Sequence, residues 1–83
     1  MKDIKFNPNI KKVVCRNVKK FRKEKKLSSN ELADLVEVSP EYLRRIEAPN
    51  DEDYISIVVL YKIAKVLDVD ICEFFGEKHK SEK

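Results

Sequence analysis

The chain has 83 residues, 18 of them lysine or arginine and 15 aspartate or glutamate, for a formal net charge of +3. A chain this short supports one domain that buries roughly 60% of its unfolded surface, so a disulfide, a metal or self-association is the usual reinforcement. The only cysteines, Cys15 and Cys72, are far apart in sequence and His79 is the lone histidine, which excludes zinc-ligand spacing, while no apolar stretch approaches the ~20 residues that span a bilayer.

No charged segment leads into an apolar run at the N-terminus, so the expectation is a cytoplasmic, reduced protein without a membrane contact, supported by self-association. Charge is unevenly distributed. Residues 1–26 carry 11 basic and 2 acidic side chains (+9), residues 27–61 carry 2 and 8 (−6), and residues 62–83 carry 5 and 5 (0). A basic segment of this kind either holds a polyanion or keeps the outer face of a helix soluble.

Residues 1–7 read as an extension. Asn7-Pro8 fits a helix N-cap followed by proline at the first helical position, and Ile10, Val14, Val18 and Phe21 then repeat on one face to about Lys25. Lys12, Arg16, Lys19, Lys20 and Lys23 project from the opposite side as one stripe. Ser28-Ser29-Asn30-Glu31 holds a capping box that opens a second helix from about Ser29 to Val36, with Leu32, Leu35 and Val36 as its core face. After Glu37-Val38, Ser39 is a good N-cap and Pro40 a good first residue for a third helix ending near Glu47, with Tyr42, Leu43 and Ile46 turned inward.

Residues 50–53 form an acidic loop. A fourth helix follows with Ile57, Leu60, Ala64 and Leu67 as its inward stripe, and Asp70 caps a brief fifth helix carrying Phe74 and Phe75 that Gly76 closes. Residues 77–83 are polar and expected to be disordered, which leaves residues 8–76 as the folded domain. The expected class is all-α.

Helices two and three, joined by two or three residues, have the proportions of a helix-turn-helix, whose second helix enters the DNA major groove. At 100° per residue, Glu41, Arg44, Arg45 and Ala48 fall on the side of helix three away from its apolar residues. Arginine can donate two parallel hydrogen bonds to guanine O6 and N7, and glutamate can accept from the cytosine amino group. The alternative is that these charges form an ion-pair network among themselves in solvent.

Leu27-Ser28-x-x-Glu31-Leu32-Ala33, Val38-Ser39, Tyr42-Leu43 and Arg45-Ile46-Glu47 fall in an order and spacing that resemble the Cro and phage-repressor (XRE-type) helix-turn-helix family. Leu60, Lys62-Ile63-Ala64-Lys65, Leu67, Val69 and Glu73-Phe74-Phe75 extend the resemblance over about residues 13–76. It implies a compact five-helix bundle of lambda-repressor-like type, sequence-specific binding of double-stranded operator DNA, a homodimer on a palindromic site, and neither catalysis nor a cofactor. Matched by position, Glu41 and Arg45 would touch base edges with Pro40 and Arg44 beside them. Ser29, Ser39 and Asn50 would meet the DNA backbone, and Arg22 and Glu47 would form a structural ion pair.

Three departures stand out. Glu37 occupies the turn between helices two and three, and Asp68 a later connector, where the family usually has glycine; the loop after helix three offers Asp51, Glu52 and Asp53 where basic or amide groups are usual. Val59, Ile63 and Val66 form a second apolar row on helix four and, with Phe74 and Phe75, are the candidate two-fold interface, unless helix five covers that row within the chain. Cys15 and Cys72 are expected as buried free thiols, with a redox pair as the alternative. The sequence thus reads as a dimeric DNA-binding repressor or autoregulator, the alternative being a protein-interaction module (antitoxin or anti-regulator) on the same fold, with a protein partner of its own.

Overall fold

Four α-helices and one 3-10 helix follow in chain order: α1 (Ile10–Glu24), α2 (Ser29–Val36), α3 (Pro40–Glu47), α4 (Ile57–Leu67) and the 3-10 helix Ile71–Phe75. They are seen in a computed structural model that describes residues 4–48 and 55–76. The acidic residues 51–53, Asn50, His79 and the tail 77–83 lie outside the described residues.

The caps set most of the boundaries. Ser28 Oγ accepts from the Glu31 N–H at 3.0 Å while Glu31 Oε1 accepts from the Ser28 N–H at 2.8 Å, so two orphan donors at the start of α2 are satisfied reciprocally. Ser39 Oγ accepts from the Tyr42 N–H at 3.1 Å with Pro40 at the first helical position of α3. Ser56, which the sequence reading passed over, caps α4 by accepting from the Val58 and Val59 N–H groups. Asn7 is not the cap of α1: its Oδ1 accepts from the Asn9 N–H at 2.8 Å in a turn, and the helix starts at Ile10 after Asn9.

The last element is tighter than the expected fifth α-helix. Asp70 makes no side-chain cap bond, and the segment winds as a 3-10 helix. Its terminal carbonyls are met from α1, where Asn17 Nδ2 donates to Phe74 O at 2.9 Å and Gly76 O at 3.2 Å.

Val18, Leu32, Ala33, Leu43, Ile63, Leu67 and Phe74 have no exposed surface and form the centre of the core, which draws on every helix. Phe21 packs on Phe74 with ring centroids 6.0 Å apart and planes tilted by 54°. Two inward assignments fail, because Leu35 and Ile57 face solvent and Ala33 and Ile63 fill the core positions on their helices. Two interface candidates fail for the converse reason: Ile63 and Phe74 are enclosed within this one chain and have no surface to offer a second copy. Val59 and Val66 are half-buried and Phe75 is exposed.

Three connectors turn through the left-handed region without glycine, at Lys26 (φ 59°), Glu37 (φ 64°) and Asp68 (φ 58°). The sequence pointed to the last two. The chain's sole glycine, Gly76, has an ordinary φ of −68°.

Candidate nucleic-acid interface

α2 and α3 meet across Glu37, Val38 and Ser39, and the left-handed Glu37 makes the turn that swings α3 across α2. The Val38 N–H donates to Ala33 O at 3.0 Å, which closes the end of α2. The turn is also tied to α4, where Lys62 Nζ lies 3.4 Å from Glu37 Oε1 in an exposed ion pair.

The far end of α3 is fixed from behind. Arg22, only 8% exposed, donates from Nε to Glu47 Oε2 at 2.7 Å, from Nη2 to Glu47 Oε1 at 3.1 Å and from Nη1 to Leu27 O at 2.7 Å. One planar guanidinium therefore joins α1, the connector to α2 and the last turn of α3. Cys15 adds a weaker tie, its thiol donating to Ala48 O at 3.1 Å. Burial pushes the Cys15 thiol above its ordinary range, and nearby Lys11 offsets part of that rise. Cys15 is buried and Cys72 exposed, and both are free.

With α3 held at both ends, its outer face presents Pro40, Glu41, Arg44 and Arg45 to solvent. The expected alternative, an ion-pair network among them, is not seen among the described residues, where the acidic partners Glu47 and Glu37 are taken by Arg22 and Lys62. Arg44 and Arg45 thus keep their donors available for an acceptor outside the chain. The Ser39 hydroxyl accepts from the Tyr42 N–H and retains its own proton for donation. Ser29 does not present its hydroxyl as expected, since its Oγ is enclosed without a partner; its main chain stands at the first position of α2.

The family model Helix-turn-helix (HTH_3) matches residues 18–74. The chain belongs to the helix-turn-helix family. That agrees with the XRE-type resemblance carried by Leu27 through Glu47. Among relatives of this helix-turn-helix chain, the HTH-type transcriptional regulator SinR of Bacillus subtilis (strain 168) is 39% identical over 70 residues, covering 84% of this chain and 62% of SinR. The chain therefore spans about three-fifths of the length of that relative. The N-terminal DNA binding domain of SinR from Bacillus subtilis superposes with a TM-score of 0.71 at 38% identity, covering 82% of this chain and 97% of that one. SinR solved in complex with DNA superposes with a TM-score of 0.68 at 36% identity, covering 76% of this chain and 98% of that one. No helix among the described residues is long and apolar enough to cross a membrane.

Proposed function

We propose that this helix-turn-helix chain is a sequence-specific DNA-binding transcriptional regulator of SinR type, a dimeric repressor or autoregulator that reads a palindromic duplex operator through α3. The observation that carries the reading is the outer face of α3, where Arg44 and Arg45 are exposed and have no ion-pair partner among the described residues while Arg22 and Glu47 hold the helix behind them. Both arginines suit guanine, and Glu41 suits the cytosine amino group. Ser39, with the main chain of Ser29 and with Asn50, is assigned to the phosphates. The proposed domain is residues 8–76, a bundle of lambda-repressor-like type in which the 3-10 helix stands as the fifth element.

For the two-fold contact the proposal moves to the outward row of α4. Ile57, Val58 and Tyr61 are 74%, 56% and 56% exposed, and Phe75 is 45% exposed. Val59 and Val66 are half-buried and lie further round the helix, beyond Lys62. The same exposed row favours the second reading, in which a protein partner docks on α4 and DNA binding is weak.

Selection of bound sequences from a random duplex pool, comparing the wild type with Arg44→Ala/Arg45→Ala, tests the first reading. A palindrome enriched by the wild type and lost by the double variant is the expected result. Failure of the wild type to enrich any sequence would overturn it in favour of the second.

A further inference from the structure

Residues 27–61, which contain the whole helix-turn-helix, carry a net charge of −6, whereas residues 1–26 carry +9. A duplex approached by α3 therefore meets a segment whose own charge opposes phosphate, and the cations that would offset it belong to α1. Lys12, Arg16, Lys19 and Lys23 are all exposed, and none pairs with an acidic side chain among the described residues. At 100° per residue they lie within about 60° of one another, as a single straight row about 16 Å long. Each DNA strand presents one phosphate per ~3.4 Å of axis, so about five phosphates pass along such a row.

The row is not hidden behind the fold. Cys15 and Arg22, the residues of α1 that bond to the end of α3, sit only about 80° round the helix from it, so the row flanks α3 instead of opposing it. Its chemistry also discriminates among polyanions. Along the row the apolar face of α1 is spent in the core through Val14 and Val18, and the exposed Ile10 lies on the opposite side of the helix, so the row itself has nothing to insert into a lipid interface. The row carries no aromatic anchor of the kind that dominates protein–protein contacts.

We infer that Lys12, Arg16, Lys19 and Lys23 form a second DNA-binding surface, a phosphate rail on α1 separate from the reading face of α3. The rail engages duplex of any sequence and supplies the electrostatic attraction that the acidic helix-turn-helix segment lacks.

The test compares two variants of the full chain that remove the same charge: Lys19→Gln/Lys23→Gln on the rail, and Lys62→Gln/Lys65→Gln on α4. Binding to a fluorescent duplex of arbitrary sequence is titrated at several salt concentrations, with melting temperatures confirming that both variants fold. The rail pair should lower the slope of log K against log salt by about 1.8, and the α4 pair should leave it unchanged. Equal losses from both pairs would overturn the inference, as would an unchanged slope on DNA with lost binding to phosphatidylserine vesicles. A bead-tethered duplex then separates two sources of phosphate: capture of a second, free duplex by the wild type alone places the rail on another DNA segment, and absence of capture places it on the flank of the same one. Because the duplex sequence is arbitrary, the rail can stand or fall independently of sequence reading by α3.

Discussion

Arg22 of α1 and Glu47 at the end of α3 form a two-pronged pair at 2.7 and 3.1 Å, with side chains only 10% and 8% exposed. Screening by water is weak there, so removing one partner strands the other. Glu47→Ala should cost ~3 kcal/mol or more, and Arg22→Ala a similar amount because Leu27 O also loses its donor. Thermal melting reads this as a fall of more than about 10 °C. Arg22→Lys retains the charge without the fork and should fall between; an Arg22→Ala variant that melts with the wild type would refute the role.

Glu37 sits at φ 64° and ψ 41°, a conformation that costs a residue with a Cβ about 1 to 2 kcal/mol. Glycine removes that cost, loses the exposed pair with Lys62 and adds some unfolded-state entropy. Glu37→Gly should therefore raise stability by about 0.5 kcal/mol in urea titration. Lys62→Ala alone should change it by less, and a Glu37→Gly variant less stable than Lys62→Ala would show that the ion pair outweighs the strain.

Arg45→Lys separates charge from geometry on α3. Lysine keeps the attraction to phosphate but not the planar pair of donors, so the salt dependence should persist while discrimination at one base pair weakens by ~1 to 3 kcal/mol. Competition between the selected duplex and single-base variants measures it. Undiminished discrimination would remove Arg45 from the reading surface.

The thiols should differ in reactivity. Cys72 is exposed, whereas Cys15 is buried, donates to Ala48 O and is held protonated above the ordinary thiol range by burial. At pH 8, one equivalent of a thiol reagent should modify Cys72 first, with Cys15 reacting only as the chain opens. Because the folded state holds the Cys15 proton more tightly than the unfolded state, its contribution is complete below the unfolded thiol pKa. It is lost as pH rises from about 8.5 through the folded value. Cys15→Ala should flatten that alkaline decline; a decline of equal slope would assign it elsewhere.

Charge on the outward row of α4 tests the dimer surface. Val58→Glu and Tyr61→Glu leave the core untouched and should shift sedimentation toward the monomer without lowering the melting temperature measured at high dilution. An unaltered assembly would move the interface off α4.

The starts of α2 and α3 were legible in this sequence, because a serine cap acts through atoms two or three residues away, whereas Asn7 and Asp70 misled and Ser56 was passed over. Ser28, Glu31, Ser39 and Pro40 announce α2 and α3 without any knowledge of the core. The phase of α4 was not legible. Ile57, Val58, Val59, Leu60, Ile63, Ala64, Val66 and Leu67 are apolar nearly all round, so periodicity alone cannot say which row turns inward. The answer lies in the packing of α1, α2 and the 3-10 helix, which encloses Ile63 and leaves Ile57 outside. Lys26 escaped notice for a related reason: a left-handed lysine carries no sequence signal, unlike a glycine or asparagine. The pairing of Arg22 with Glu47 came from a family pattern and not from the physics of a sequence separation of 25.

Tyr42 and Ser56 define what the loop between α3 and α4 is free to do. The Tyr42 hydroxyl accepts from the Ser56 N–H at 3.3 Å, bringing together two points 14 residues apart in sequence. The intervening chain need not hold α3 and α4 together, because they are clasped across its base. Lengthening such a segment adds only about 0.6 kcal/mol per doubling. A longer or shorter connection between Ala48 and Ile55 should therefore leave the geometry of α3 unchanged, so lineages could vary its length and charge without rebuilding the bundle.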